Sequence, residues 1–119
     1  MFLHAANLNP LNRHLCSIKQ LSTEKASAIA SLLAIGCRSG DTVVGLSSVR
    51  RQSGIAMILA DESLSVRTLR ELADFRKNGV IVFKLSNLSV ISHGFGRSDI
   101  SVVAVKQGPL AEGIFEKIE

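Results

Sequence analysis

The side chains able to carry acid, base or metal chemistry are few and scattered. His4, His14 and His93 lie far apart, and none has a ligand-type residue nearby. Cys16 and Cys37 lack Cys-x-x-Cys spacing, so on expected helices they read as inert buried thiols of a reducing compartment rather than as a disulfide. Asp61 and Glu62 follow an apolar run, where catalytic carboxylates often sit. They also precede a helix, whose positive end favours acidic residues, and that role is preferred. The segment GFGR, Gly94 to Arg97, follows a short helical stretch rather than a strand, so it reads as a turn and not as a dinucleotide fingerprint. No phosphate-binding loop, nucleophile elbow or zinc spacing occurs in the sequence. The expectation is a protein that is not an enzyme, with no catalytic residue, no resident metal and no cofactor.

What remains is binding chemistry. Fourteen Lys and Arg against ten Asp and Glu give a formal charge of +4. Such a mild basic excess suits a polyanion such as RNA, although solubility alone also explains it. The segment LSSVRRQS, Leu46 to Ser53, places Arg50 and Arg51 together. By composition alone it is a solvated helix with two surface arginines. The chain has five Phe and neither Trp nor Tyr, so base-stacking platforms are scarce. RNA recognition would therefore rest on backbone amides, helix ends, small polar groups and arginines.

The elements that must position these groups follow from periodicity and punctuation. At 119 residues and 46% hydrophobic content the chain suits one core. Its longest apolar runs, such as Ile55 to Ala60, are far too short to span a bilayer. Met1 to Thr23 lacks acidic residues and faintly resembles an organelle leader, but low arginine content and a helical pattern favour a cytoplasmic protein. Asn9-Pro10 opens a helix to about Leu21, with Leu11, Leu15 and Ile18 on one face. Ser22 or Thr23 caps a second helix with Ile29, Leu32, Leu33 and Ile35 inward and Gly40 as its stop.

Thr42 to Val44, Ile55 to Ala60, Val80 to Phe83 and Ile100 to Val105 read as strands. Between the first two lies the brief helix from Leu46, ended by Gly54. Ser63 or Ser65 caps a longer amphipathic helix with Val66, Leu69, Leu72 and Ala73 inward, closed by Asn78-Gly79. A short helix and a glycine-rich loop precede the last strand, and Pro109 opens a final helix with Leu110, Ile114 and Ile118. Helices alternating with buried strands predict an α/β fold, a three-layer α/β/α sandwich with a mixed four-stranded sheet. The expected organisation is an N-terminal helical extension, residues 1–22, and an α/β domain, residues 23–119.

The order of elements from Glu24 to Ile118, and the phrases at their joints, resemble the kink-turn RNA-binding ribosomal protein family of the L-seven-Ae and L-thirty-e type, including bacterial YlxQ-like members. The phrases are LLAIGCRSGDTVVG (Leu32 to Gly45), ILADES (Ile58 to Ser63) and GFGRSDISVVAV (Gly94 to Val105). The resemblance implies an L-thirty-e-like sandwich and RNA held by two pieces. The first is the helix start after the first strand, here Gly45, Ser47, Ser48 and Arg51, with Arg50 adding charge. The second is the loop before the last strand, here Arg97, Ser98, Asp99 and Ile100. A helix start offers free amides to phosphates, hydroxyls donate to base edges, and arginines neutralise backbone charge.

Two departures stand out. Ser47 and Ser48 occupy positions where the family carries amide and acidic side chains, and the segment between Gly45 and Ala60 is about four residues shorter than the family's. The second departure leaves Gly40, rather than Gly45, as an alternative helix start. The resemblance implies a non-catalytic protein that binds ribosomal or another kink-turn RNA, with ribosomal or other proteins as further partners and no membrane. The alternatives are a protein interaction module of the same fold that has lost RNA binding, and an appended recognition domain serving an RNA-modifying enzyme on another chain.

Overall fold

The structure, a computed structural model, describes residues 18–93 and 99–118. Its elements in chain order are β1 (Lys19–Gln20), α1 (Thr23–Ser39), β2 (Thr42–Val44), α2 (Leu46–Arg51), β3 (Ile55–Asp61), α3 (Val66–Ala73), a 3-10 turn (Asp74–Asn78), β4 (Ile81–Leu85), α4 (Ser89–Ser92), β5 (Val102–Lys106) and α5 (Pro109–Ile118). The fold is α/β. Its single mixed sheet runs in the order β1-β4-β3-β5-β2, with β1, β4 and β3 parallel and β5 antiparallel to both β3 and β2.

The sheet is five-stranded rather than four-stranded. All four expected strands are present, and the fifth, β1, comes from a stretch whose spacing suggested the tail of a helix. Ile18 and Leu21 are three residues apart, a helical interval, yet they bury on opposite faces of the sheet, as an odd interval must in extended chain. Lys19 pairs with Phe83 and Gln20 with Lys84, and the Leu21 amide donates to the Lys84 carbonyl at 2.8 Å. The rest of the expected first helix, with Arg13 and Cys16, lies outside the described residues.

Alternation along the strands builds two apolar cores. Met57, Leu59, Phe83, Leu85, Val103 and Val105 face α1, α4 and α5, meeting Ile29, Leu33, Ile91 and Ile114. Ile58, Ala60, Val82, Val102 and Ala104 face α2, α3 and the 3-10 turn, meeting Val49, Leu69, Leu72 and Phe75. Strands buried on both faces explain the continuous apolar run of β3.

Local chemistry sets the joints. The Ser22 hydroxyl accepts from the Lys25 amide to cap α1, and Ser65 does the same for α3 through Thr68. α1 ends at Gly40, in left-handed conformation, whose amide donates to the Gly36 carbonyl. Gly40 is thus a helix stop, and the helix start falls at Gly45. Two residues expected inward are exposed instead, Ile35 at 48% and Val66 at 53%. Ile35 lies six residues beyond Ile29, an interval that carries it off the buried stripe, and Val66 sits in the first turn of α3, away from Leu69 and Leu72.

Candidate nucleic-acid interface

Gly45 links β2 to α2 with φ +94° and ψ 144°, a backbone conformation that L side chains rarely adopt, and its amide donates to the Val102 carbonyl at 2.9 Å. With no side chain of its own, Gly45 leaves the start of α2 without a side-chain cap. The early amides of that helix are available to an external acceptor.

Antiparallel pairing of β2 with β5, Val44 opposite Val103, brings the segment before β5 alongside this helix start. A groove of about 380 Å³ results, lined by Val44, Gly45, Leu46 and Leu64 and by Asp99, Ile100, Ser101 and Val102. Asp99 is exposed, whereas Ile100 is 9% exposed and packs into the core on the α1 side. Of the two expected pieces, more than fifty residues apart in sequence, Gly45 of the first and Asp99 and Ile100 of the second line this cavity, while Ser47, Ser48, Arg50 and Arg51 do not. Arg97 and Ser98 lie outside the described residues, as do the glycines Gly94 and Gly96.

The α2 side chains divide by direction. Val49 is fully buried and pins the helix to the sheet. Ser47 and Arg51, four residues apart, are exposed, and Ser48 is half-buried. Arg51 has no ion-pair partner among the described residues. Arg50, expected as an added RNA contact, is engaged within the protein. Its guanidinium makes a two-pronged pair with Glu71 on α3, Nε to Oε2 at 2.7 Å and Nη2 to Oε1 at 2.9 Å. Hydrogen bonding from Arg50 holds the Glu71 carboxyl below its ordinary range, and the same bond raises the arginine's own pKa. Sequence alone had no signal for this pairing, because the partners are 21 residues apart and meet only through the stacking of α2 beside α3.

Asp61, one of the two carboxylates singled out in the sequence, serves structure. One oxygen accepts from the Ser63 amide at 3.1 Å and from the Ser63 hydroxyl, and the other accepts from the Leu88 amide at 2.9 Å. Burial pushes its pKa up, but the hydrogen bonds from Ser63 and Leu88 outweigh that and leave it lowered. The carboxylate thus ties the end of β3 to its own turn and to the start of α4. His93 is exposed, and among the described residues no three His, Cys, Asp or Glu side chains gather as a metal site. Among the same residues no helix is long and apolar enough to cross a membrane.

The groove lining adds Val44, Leu46, Leu64, Ser101 and Val102 to the residues expected from sequence. Their membership follows from strand order, which no local pattern encodes. Neither a protein-family model nor a curated protein matches this chain.

Proposed function

We propose that this chain is a non-catalytic, cytoplasmic RNA-binding protein, a three-layer α/β/α sandwich of the L-thirty-e-like kind, that holds a kink-turn-like RNA of the ribosome or another ribonucleoprotein. The observation that carries this reading is the shared groove, where the uncapped start of α2 at Gly45 faces the Asp99–Ile100 segment that leads into β5. The α2 amides donate to a phosphate of the bent strand, Ser47 and Ser48 donate to base edges or sugar oxygens, and Arg51 neutralises the adjoining backbone. Asp99 repels phosphate and turns towards a base amino group, and Arg97 and Ser98 continue that contact along the chain. Arg50, held by Glu71, sets the spacing between α2 and α3 rather than gripping RNA.

Binding measured by titration against a kink-turn RNA and a plain duplex of equal length, at two salt concentrations, tests this reading. The expected result is tighter binding of the kink-turn, with Arg51→Gln reducing the slope of log affinity against log salt by about 1. Equal, steeply salt-dependent binding of both RNAs would reduce the protein to a generic phosphate binder. Absence of binding to either at low salt would overturn the reading in favour of a protein interaction module.

A further inference from the structure

The net positive charge of the helices lies in one layer. α2, α3 and the 3-10 turn carry six cations, Arg50, Arg51, Arg67, Arg70, Arg76 and Lys77, against two carboxylates, Glu71 and Asp74. On the opposite face α1, α4 and α5 carry three, Lys25, Arg38 and Lys117, against Glu24, Glu112 and Glu116. Both carboxylates of the basic layer are already engaged, Glu71 with Arg50 and Asp74 with Lys77. Arg51, Arg67 and Arg70 have no ion-pair partner among the described residues. The Nε of half-buried Arg70 is shielded from water and has no hydrogen-bond acceptor.

The position of this layer relative to the groove gives the charge a direction. β2 and β3 both run towards the groove, and Leu64, which lines it, immediately precedes the Ser65 cap of α3. α2 and α3 therefore leave the groove side by side and run back along the sheet in the same sense, joined by the Arg50–Glu71 pair. Arg67 lies in the first turn of α3 and Arg70 one turn further from the groove. A polyanion seated at the groove and extending past it meets these arginines in succession.

We propose that Arg67 and Arg70 form a second line of phosphate contacts, which holds the duplex stem leading away from the RNA at the groove. The inference rests on RNA binding at that groove and adds to it the part of the RNA outside the bend. Single-stranded extensions suit this surface poorly, because α3 offers no aromatic side chain on which unpaired bases could stack.

The test compares the same kink-turn RNA with a stem that stops at the bend and with that stem lengthened by roughly one helical turn of duplex. Wild-type protein is expected to bind the longer RNA severalfold more tightly. The Arg67→Gln/Arg70→Gln double variant is expected to bind both RNAs alike. Its salt slope for the longer RNA should be lower by about 2, because each phosphate left without its arginine takes roughly 0.9 off the slope. A stem-length gain that survives in the double variant, or its absence in the wild type, overturns the proposal while leaving kink-turn binding at the groove intact. Failure of wild-type protein to bind either RNA at low salt overturns both. Thermal melts by circular dichroism check that the variant is folded. Should the double variant fail to fold, Arg67→Gln alone, at an exposed position, supports the same comparison with a slope change of about 1.

Discussion

The two helical layers bury opposite faces of one sheet by different means. On one side α1, a helix of 17 residues, and α5, of 10 residues, pack close enough that Gly36 has no room for a side chain, since Thr42 and Leu110 occupy the space. On the other side α2 and α3, of 6 and 8 residues, are anchored by a few apolar side chains such as Val49, Leu69 and Leu72 and expose arginines. The first layer is balanced in charge and closely fitted, while the second carries a surplus of charge and borders the groove. Close packing tolerates few changes, whereas a solvated basic surface can change its side chains at little cost to the fold. The proposed binding surface thus falls where substitution is least constrained by packing.

The sharpest way to break this contrast is to strike the fitted layer. A Cβ added at Gly36 would collide with the Thr42 hydroxyl and stand 2.5 Å from a Leu110 methyl group. Gly36→Ala should therefore destabilise the protein by about 1–3 kcal/mol, read by urea denaturation. Adding Thr42→Ala should restore part of that loss, because it removes the obstructing hydroxyl, whose oxygen is buried without a hydrogen-bond partner. No recovery in the double variant would mean that Leu110, rather than Thr42, sets the limit.

A smaller effect is expected at Asp61, which binds the end of β3 to α4 in the fitted layer. Its folded pKa lies below the ordinary value, so its stabilising contribution is complete above about pH 3.9, the ordinary carboxylate pKa, and is lost as pH falls through the lower folded value. Asp61→Asn should remove this part of the acid-induced loss of stability, seen as a shallower decline of melting temperature between neutral and strongly acidic pH. An unchanged decline would show that the hydrogen bonds to Ser63 and Leu88 do not favour the ionised form.

The smallest change in stability is expected in the basic layer. Arg50 and Glu71 have side chains 50% and 38% exposed, so solvent screens their attraction, and Glu71→Gln should cost about 0–1 kcal/mol. The same substitution releases Arg50 and removes a negative charge, so affinity for the proposed RNA partner should rise even as stability slips. A large loss of stability would erase the distinction between a fitted layer and a solvated one.

Much of this arrangement was legible wherever one residue type has one physical use. Gly40 stops α1, Pro109 opens α5, Ser65 caps α3 and Gly79 closes the 3-10 turn, each as its local chemistry requires. The β-branched triplet Thr42–Val44 and the run from Ile55 both form strands. The misreadings arose where spacing is ambiguous. Ile18 and Leu21 fit a helix but flank a two-residue strand, Lys19–Gln20, whose partner, β4, lies some sixty residues away.

At the site, Gly45 is expected from the family resemblance with Gly40 as the alternative, and the structure places the start of α2 at Gly45, where φ is +94°. The engagement of Arg50, the role of Leu64 in the groove and the unpaired Nε of Arg70 could not be read from the sequence. Each depends on which elements become neighbours, and neighbourhood follows from the whole sheet order rather than from any local pattern.

The sheet order has a further consequence at the margins of the molecule. Among the described residues the two outermost strands are β1, two residues long, and β2, three residues long. A strand edge presents unpaired backbone groups on which another chain can polymerise, and short, charged margins are a common defence. Here the long, apolar β3 and β5 are enclosed, and β1 carries exposed Lys19. An invading chain would find room for only two or three backbone pairings before the template ends, so the stretches most prone to form fibrils are those that folding removes from reach.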